Sequence, residues 1–244
     1  MGKTSNAEMR ILMKYNDLLH TIQNVCLTPN LDFLLELRPI PKENFNGINL
    51  PKELVNFLTQ IGLPSQVLLI REPEEMESQD VYTYFFPLEK FYTKKIEKDT
   101  YLSIGGWKSK CIYNQTIGET VTKISEDISG EYLVHITTGE VWYINNANLE
   151  LSKKDENCWK LTDSDLELQF INSSVEQFVL SMACWKQFYP QFEEKYLEVD
   201  GDLEYIFEHE ELYKPFLNVM ELLDKKAMEN EFNYWRFMCD LSLY

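Results

Sequence analysis

The chain has 244 residues and a formal net charge of −17, with 44% hydrophobic and 14% aromatic residues. Such a composition supports a sizeable buried core and excludes a compositionally disordered chain. The charge argues against nucleic acid as a partner, because that binding rests on Lys and Arg neutralising phosphates.

Two readings of the acidity stand side by side: attraction to a basic partner, or solubility alone. Cys26, Cys111, Cys158, Cys184 and Cys239 are odd in number, widely spaced and free of any CxxC pair. That usage fits reduced thiols in a reducing compartment. The opening residues read as an amphipathic helix without the apolar core of a signal peptide. No apolar run reaches the roughly 18 residues of a membrane span. The expectation is a cytoplasmic protein with no membrane partner.

Residues 5–27 read as a helix. Ser5 and Glu8 have capping-box spacing, and Ile11, Tyr15, Leu18, Ile22 and Val25 line one face. A loop rich in Pro and Asn follows to Asn49. LPKELVNFLTQIGLP at 50–64 predicts a second helix, with Pro51 in its first position and Leu54, Phe57, Leu58 and Ile61 as its buried stripe. Gly62 supplies a left-handed terminator and Pro64 blocks continuation.

Between 65 and 150 the runs shorten and turn signals separate them. Strands are expected at 67–70, 81–86, 101–107, 111–114, 120–124, 132–136 and 140–144, with Thr137-Thr138-Gly139 as a tight hairpin turn. No helix separates these runs, so the sheet is expected to be mostly antiparallel. Gly105 and Gly106 read as a bulge or turn.

A helix returns at 172–188, with Ser173 and Glu176 in capping-box spacing and an apolar face of Val175, Phe178, Val179, Met182 and Trp185. After an acidic segment come helices at 214–228 and 232–241. The predicted class is α+β: a mostly antiparallel sheet of about six strands flanked by N-terminal and C-terminal helices. One domain is expected over 1–244, with a helical extension at 5–45, a core at 46–190 and a C-terminal helical part at 191–244.

Three segments, in this order and spacing, resemble the SUKH superfamily, most closely its fourth subfamily of immunity proteins. They are LPKELVNFLTQIGLP at 50–64, YLSIGGWKSKCIYNQTIGETVTKI at 101–124 and FINSSVEQFVLSMACW at 170–185. The closing AMENEFNYWRFMCDL is similar to that family's last helix. The resemblance implies a non-enzymatic protein that binds a cognate toxin, such as a nuclease or deaminase, and blocks its active site. An acidic inhibitor suits the basic groove of a nuclease and gains a steered on-rate. The same superfamily includes regulatory or scaffold modules, which is the alternative role.

Chemical motifs are few. His20, His135 and His209 are scattered, and His135 reads as a structural histidine in a strand. There is no HExxH, zinc spacing, GxSxG or Walker loop, so no catalytic residue, metal or cofactor is expected. Asp200, Asp202, Glu204, Glu208 and Glu211 fall at ligand positions of an EF-hand loop, but Tyr205 stands where a glycine is needed. A solvated helix face and a charged partner surface remain open there. Asp163, Asp165 and Glu167 have the makings of a carboxylate pair, and acidic loops produce such pairs by chance.

Trp159, Trp185 and Trp235 are expected in the core or at an edge. The candidate partner-binding residues are Trp107, Trp142, Glu126, Asp127, Asp155 and Glu156, because aromatics ringed by carboxylates suit a binding hot spot. The competing reading buries both tryptophans and leaves the acids to solvate loops.

Overall fold

A computed structural model describes residues 35–74, 79–114, 120–124, 130–145, 149–151, 158–161, 168–198, 213–230 and 233–241. The predicted helix at 5–27, Glu126, Asp127, Asp155, Glu156, the carboxylates at 163–167 and the acidic segment at 200–211 lie outside them.

Strands β1 (Leu37–Arg38) and β2 (Leu63–Pro64) pair antiparallel and bracket helix α1 (Lys52–Gln60). Leu54, Phe57 and Leu58 of α1 are buried, as the apolar spacing requires. Pro51 does not occupy the first helical position. Its ψ of 137° makes it the capping residue, and its carbonyl accepts from Val55 N–H at 3.1 Å. Gly62 ends the helix with φ +86°, and its N–H donates to the Phe57 carbonyl at 3.1 Å.

The principal sheet contains β3 (Val67–Glu74), β4 (Gln79–Ile96), β5 (Asp99–Asn114), β6 (Thr120–Ile124), β7 (Gly130–His135), β8 (Val141–Asn145), β9 (Leu149–Leu151), β10 (Cys158–Leu161) and β11 (Gln169–Asn172). Its body is a curled six-strand antiparallel path, β3-β4-β5-β7-β8-β11. Short β6 adds to β5. β9 and β10 add beyond β4, with β10 parallel to it.

The runs expected as separate strands at 101–107 and 111–114 are one continuous strand, and the run at 81–86 extends to Ile96. Register shifts near Gly105 in β5 and between Pro87 and Tyr92 in β4 take up the curl within the strands. A Cβ on Gly105 would stand 2.4 Å from the Phe85 ring, so the missing side chain lets that ring pack.

Helices α2 (Val175–Glu198), α3 (Lys214–Leu223) and α4 (Tyr234–Leu241) accompany the sheet. The main core lies against them. Phe85 and Tyr132 of the sheet meet Phe178 of α2 with ring centroids 5.7 and 5.2 Å away. Trp185 and Trp235 are fully buried, as expected, and Trp185 Nε1 donates to the Leu69 carbonyl at 3.1 Å.

Strand alternation sends Tyr132 and Val134 into this core and Glu131 and Leu133 to the other face. There Ile96, Tyr101, Leu133 and Ile144 form a second small cluster with Trp142 and Leu168. Beside it Glu131 pairs with Lys94 at 2.6 Å and accepts from Tyr92 and Ser103 at 2.9 and 2.7 Å.

Cys184 and Cys239 are buried and not joined in a disulfide. Among the described residues no helix is long and apolar enough to cross a membrane. The helix expected over 214–228 stops at Leu223. Asp224 takes φ −152°, ψ 85° and caps a separate 3-10 turn, Lys225–Met228.

Candidate functional site

The segment Asn172-Ser173-Ser174 joins β11 to α2. The expected capping box of Ser173 with Glu176 is shifted by one residue. Ser174 Oγ accepts from the Gln177 N–H at 3.2 Å and lies 3.1 Å from Gln177 Oε1. Ser173 is released for a distant partner.

Asp224, only 3% exposed, accepts the Ser173 backbone N–H at 2.6 Å and its hydroxyl at 2.8 Å. It also accepts from Asn172 Nδ2 at 3.2 Å. Gln177 Nε2 donates to the Leu223 carbonyl at 3.1 Å. These bonds fix the 3-10 turn against the sheet edge, and so fix Lys226 and Ala227.

The turn forms one wall of a recess of about 370 Å³. Trp142 of β8, Leu168 and Phe170 supply apolar surface, and Lys226, Asn230 and Asn233 line the opposing side. Trp142 and Phe170 meet edge to face at 5.2 Å. Lys226 sits over the Phe170 ring, 4.7 Å from its centroid, and pairs with Glu140 at 2.5 Å. Partial burial works to raise the Glu140 carboxyl. The Lys226 ammonium and the Thr138 hydroxyl outweigh it and hold the group below its usual value.

The indole N–H of Trp142 is buried and has no hydrogen-bond partner. An orphaned donor of this kind costs about 1–3 kcal/mol. Trp235 Nε1 is also unpartnered, but it lies deep in the main core, whereas Trp142 lines a recess.

A second recess, of about 280 Å³, lies past the β7–β8 turn. Glu53, Leu54 and Phe57 of α1, Thr138, Gly139 and Glu176 line it. The turn between the recesses has the expected hairpin form, with Gly139 at φ +78° and its N–H donating to the His135 carbonyl at 2.8 Å. His135 is structural, as expected: its Nδ1 accepts from Thr138 N–H at 3.1 Å, and its ring meets Tyr101 edge to face at 5.2 Å.

The two candidate tryptophans fall on opposite faces of the sheet. Trp107 faces the main core, stacks on Tyr143 at 4.9 Å and donates to the Tyr132 hydroxyl at 2.6 Å. Trp142 lies on the outer face and at the recess. Sequence reasoning missed Asp224, Lys226 and Phe170. The NSS segment carried the only signal, and it pointed to a helix start rather than to a tether. Among the described residues no group of three His, Cys, Asp or Glu stands close enough to hold a metal ion.

No curated protein and no solved structure matches the chain. The family model for the SUKH-4 immunity protein matches residues 36–240, a span that takes in α1, the whole sheet, the Asp224 tether and nearly all of α4. The chain belongs to the SUKH-4 immunity protein family.

Proposed function

We propose that this protein binds a cognate toxin inside the cell that makes both and covers the toxin's active site. The observation that carries this reading is the match to the immunity family over residues 36–240. The net charge of −17 supports a basic toxin, such as a nuclease or deaminase, whose substrate groove an acidic protein fills and approaches quickly. The reading needs no catalytic group or cofactor. Its contact surface centres on the outer face at Trp142, with Glu126, Asp127, Asp155 and Glu156 as acidic contributors. Trp107 contributes indirectly, by fixing the sheet from the core side.

The test is co-expression with the toxin encoded beside this gene. Growth rescue and a one-to-one complex, with association that slows as salt rises, is the expected result. Failure to bind or to rescue defeats the reading.

A further inference from the structure

We propose that the recess between α1, the β7–β8 turn and α2 receives an arginine side chain of a protein partner, with Glu53 as the carboxylate that meets it. That the partner is the toxin rests on the immunity reading. The chemistry of the recess stands apart from it.

The first turns of two helices and the hairpin turn enclose this recess. Leu54, Phe57 and Val175 are buried and give it an apolar floor. Glu53 is an exposed member of the lining, and Glu176, half-buried, adds a second carboxylate from the first turn of α2. An apolar floor beside an acidic rim suits a side chain with a long apolar stem and a charged head.

The sign of the head follows from the charges. The described lining holds two carboxylates and no Lys, Arg or His. The two helix starts offset them by roughly +0.5 elementary charge each. That leaves the carboxylates in excess, within a chain of net charge −17. An anion is repelled there and a neutral head gains nothing from the field, whereas a cation is drawn in. Arginine suits the place better than lysine, because its planar guanidinium can stack on an aromatic ring and reach a carboxylate and the turn hydroxyls together. The volume of about 280 Å³ lies just below the range of small-ligand sites and fits a single side chain. Glu140, next in the chain to Gly139, pairs with Lys226 of the recess at Trp142, so one partner face can cover both recesses.

The experiment uses the full chain labelled with nitrogen-15 at glycine and butylguanidinium as the probe, with the Gly139 signal assigned through Gly139→Ala. Butylguanidinium is expected to shift that signal saturably, and neutral butylurea to bind more weakly. Glu53→Gln should lower the butylguanidinium affinity about two- to fivefold, the value of one exposed ion pair. Thr137→Trp, a change at an exposed position of the lining, should abolish the saturable response while the other glycine signals keep their places. A Gly139 signal unmoved by butylguanidinium, equal binding of butylurea, or an unchanged affinity in Glu53→Gln overturns the proposal. Against the toxin encoded beside this gene, Glu53→Lys should weaken the complex about tenfold or more, because like charges then meet. A complex undiminished by that change also overturns it. Butylguanidinium binding by a chain that fails to neutralise the toxin would defeat only the immunity reading. Neutralisation by a chain whose Gly139 signal stays unmoved would defeat only the recess.

Discussion

Ser173 and Asp224 are 51 residues apart in sequence, yet the Asp224 carboxylate takes both the backbone N–H of Ser173, at 2.6 Å, and its hydroxyl, at 2.8 Å. One acid thus ties the start of α2 to the end of α3 and sets the turn that carries Lys226. The Asn172-Ser173-Ser174 segment serves the architecture here, and the recess inherits its shape from it.

Asp224→Ala strands the Ser173 N–H and its hydroxyl in a partly buried setting and leaves the Asn172 Nδ2 with only its bond to Ser181 Oγ. The expected loss is about 3–5 kcal/mol, since each orphaned donor costs about 1–3 and such costs overlap. Ser173→Ala removes one charged-acceptor bond and should cost about 1–2 kcal/mol. Urea denaturation of both variants checks this. Equal losses would show that Asp224 is no tether.

Lys94 and Glu131 are buried to 6% and 5% exposure and stand 2.6 Å apart. Glu131→Leu alone leaves the Lys94 ammonium buried with its principal counter-charge gone and should cost about 3–5 kcal/mol. Adding Lys94→Met should recover most of that loss, because an apolar pair of similar size needs no desolvation. A double variant as unstable as the single one would show that the Tyr92 and Ser103 bonds to Glu131, not the ion pair, carry the stabilisation.

The outline of the fold was legible because its signals are local. Gly62, the short apolar runs of β7 and β8 on either side of the Thr137-Thr138-Gly139 turn, and the apolar stripe of α1 each reveal their element within a dozen residues. What was not legible depends on distant pairing. The Pro87–Ile96 half of β4 is held by β5 and β10 rather than by its own pattern. Ser173 looks like a helix cap until Asp224 is beside it. The opposite facing of Trp107 and Trp142 follows from strand parity, and the register shift near Gly105 hides that parity in the sequence.

Gly62 and Gly139 both have positive φ, at +86° and +78°, but their surroundings differ. A Cβ on Gly62 would lie 1.9 Å from the Arg38 carbonyl oxygen, whereas nothing lies within 4 Å of one on Gly139. Gly139→Ala should therefore cost only the left-handed penalty of about 1–2 kcal/mol. Gly62→Ala should cost more, because the backbone of β1 must also move. Thermal melts compared side by side check the order, and a milder Gly62 variant would contradict the close approach.

The Lys226–Glu140 pair lies at the mouth of the candidate site and should make stability depend on acid. The folded Glu140 carboxyl lies below its ordinary value of 4.5. Its contribution is then fully present above that value and is lost as pH falls through the lower, folded one. Lys226 is 53% exposed, so the effect is screened and should amount to no more than about 1 kcal/mol. Glu140→Gln is expected to be less stable than the parent at neutral pH and to converge with it in strong acid. Lys226→Met should remove most of that acid dependence, leaving the part held by the Thr138 hydroxyl. Denaturation midpoints across the acid range decide it: a gap between parent and Glu140→Gln that persists below the folded value would mean that the side chain is needed for packing rather than for its charge.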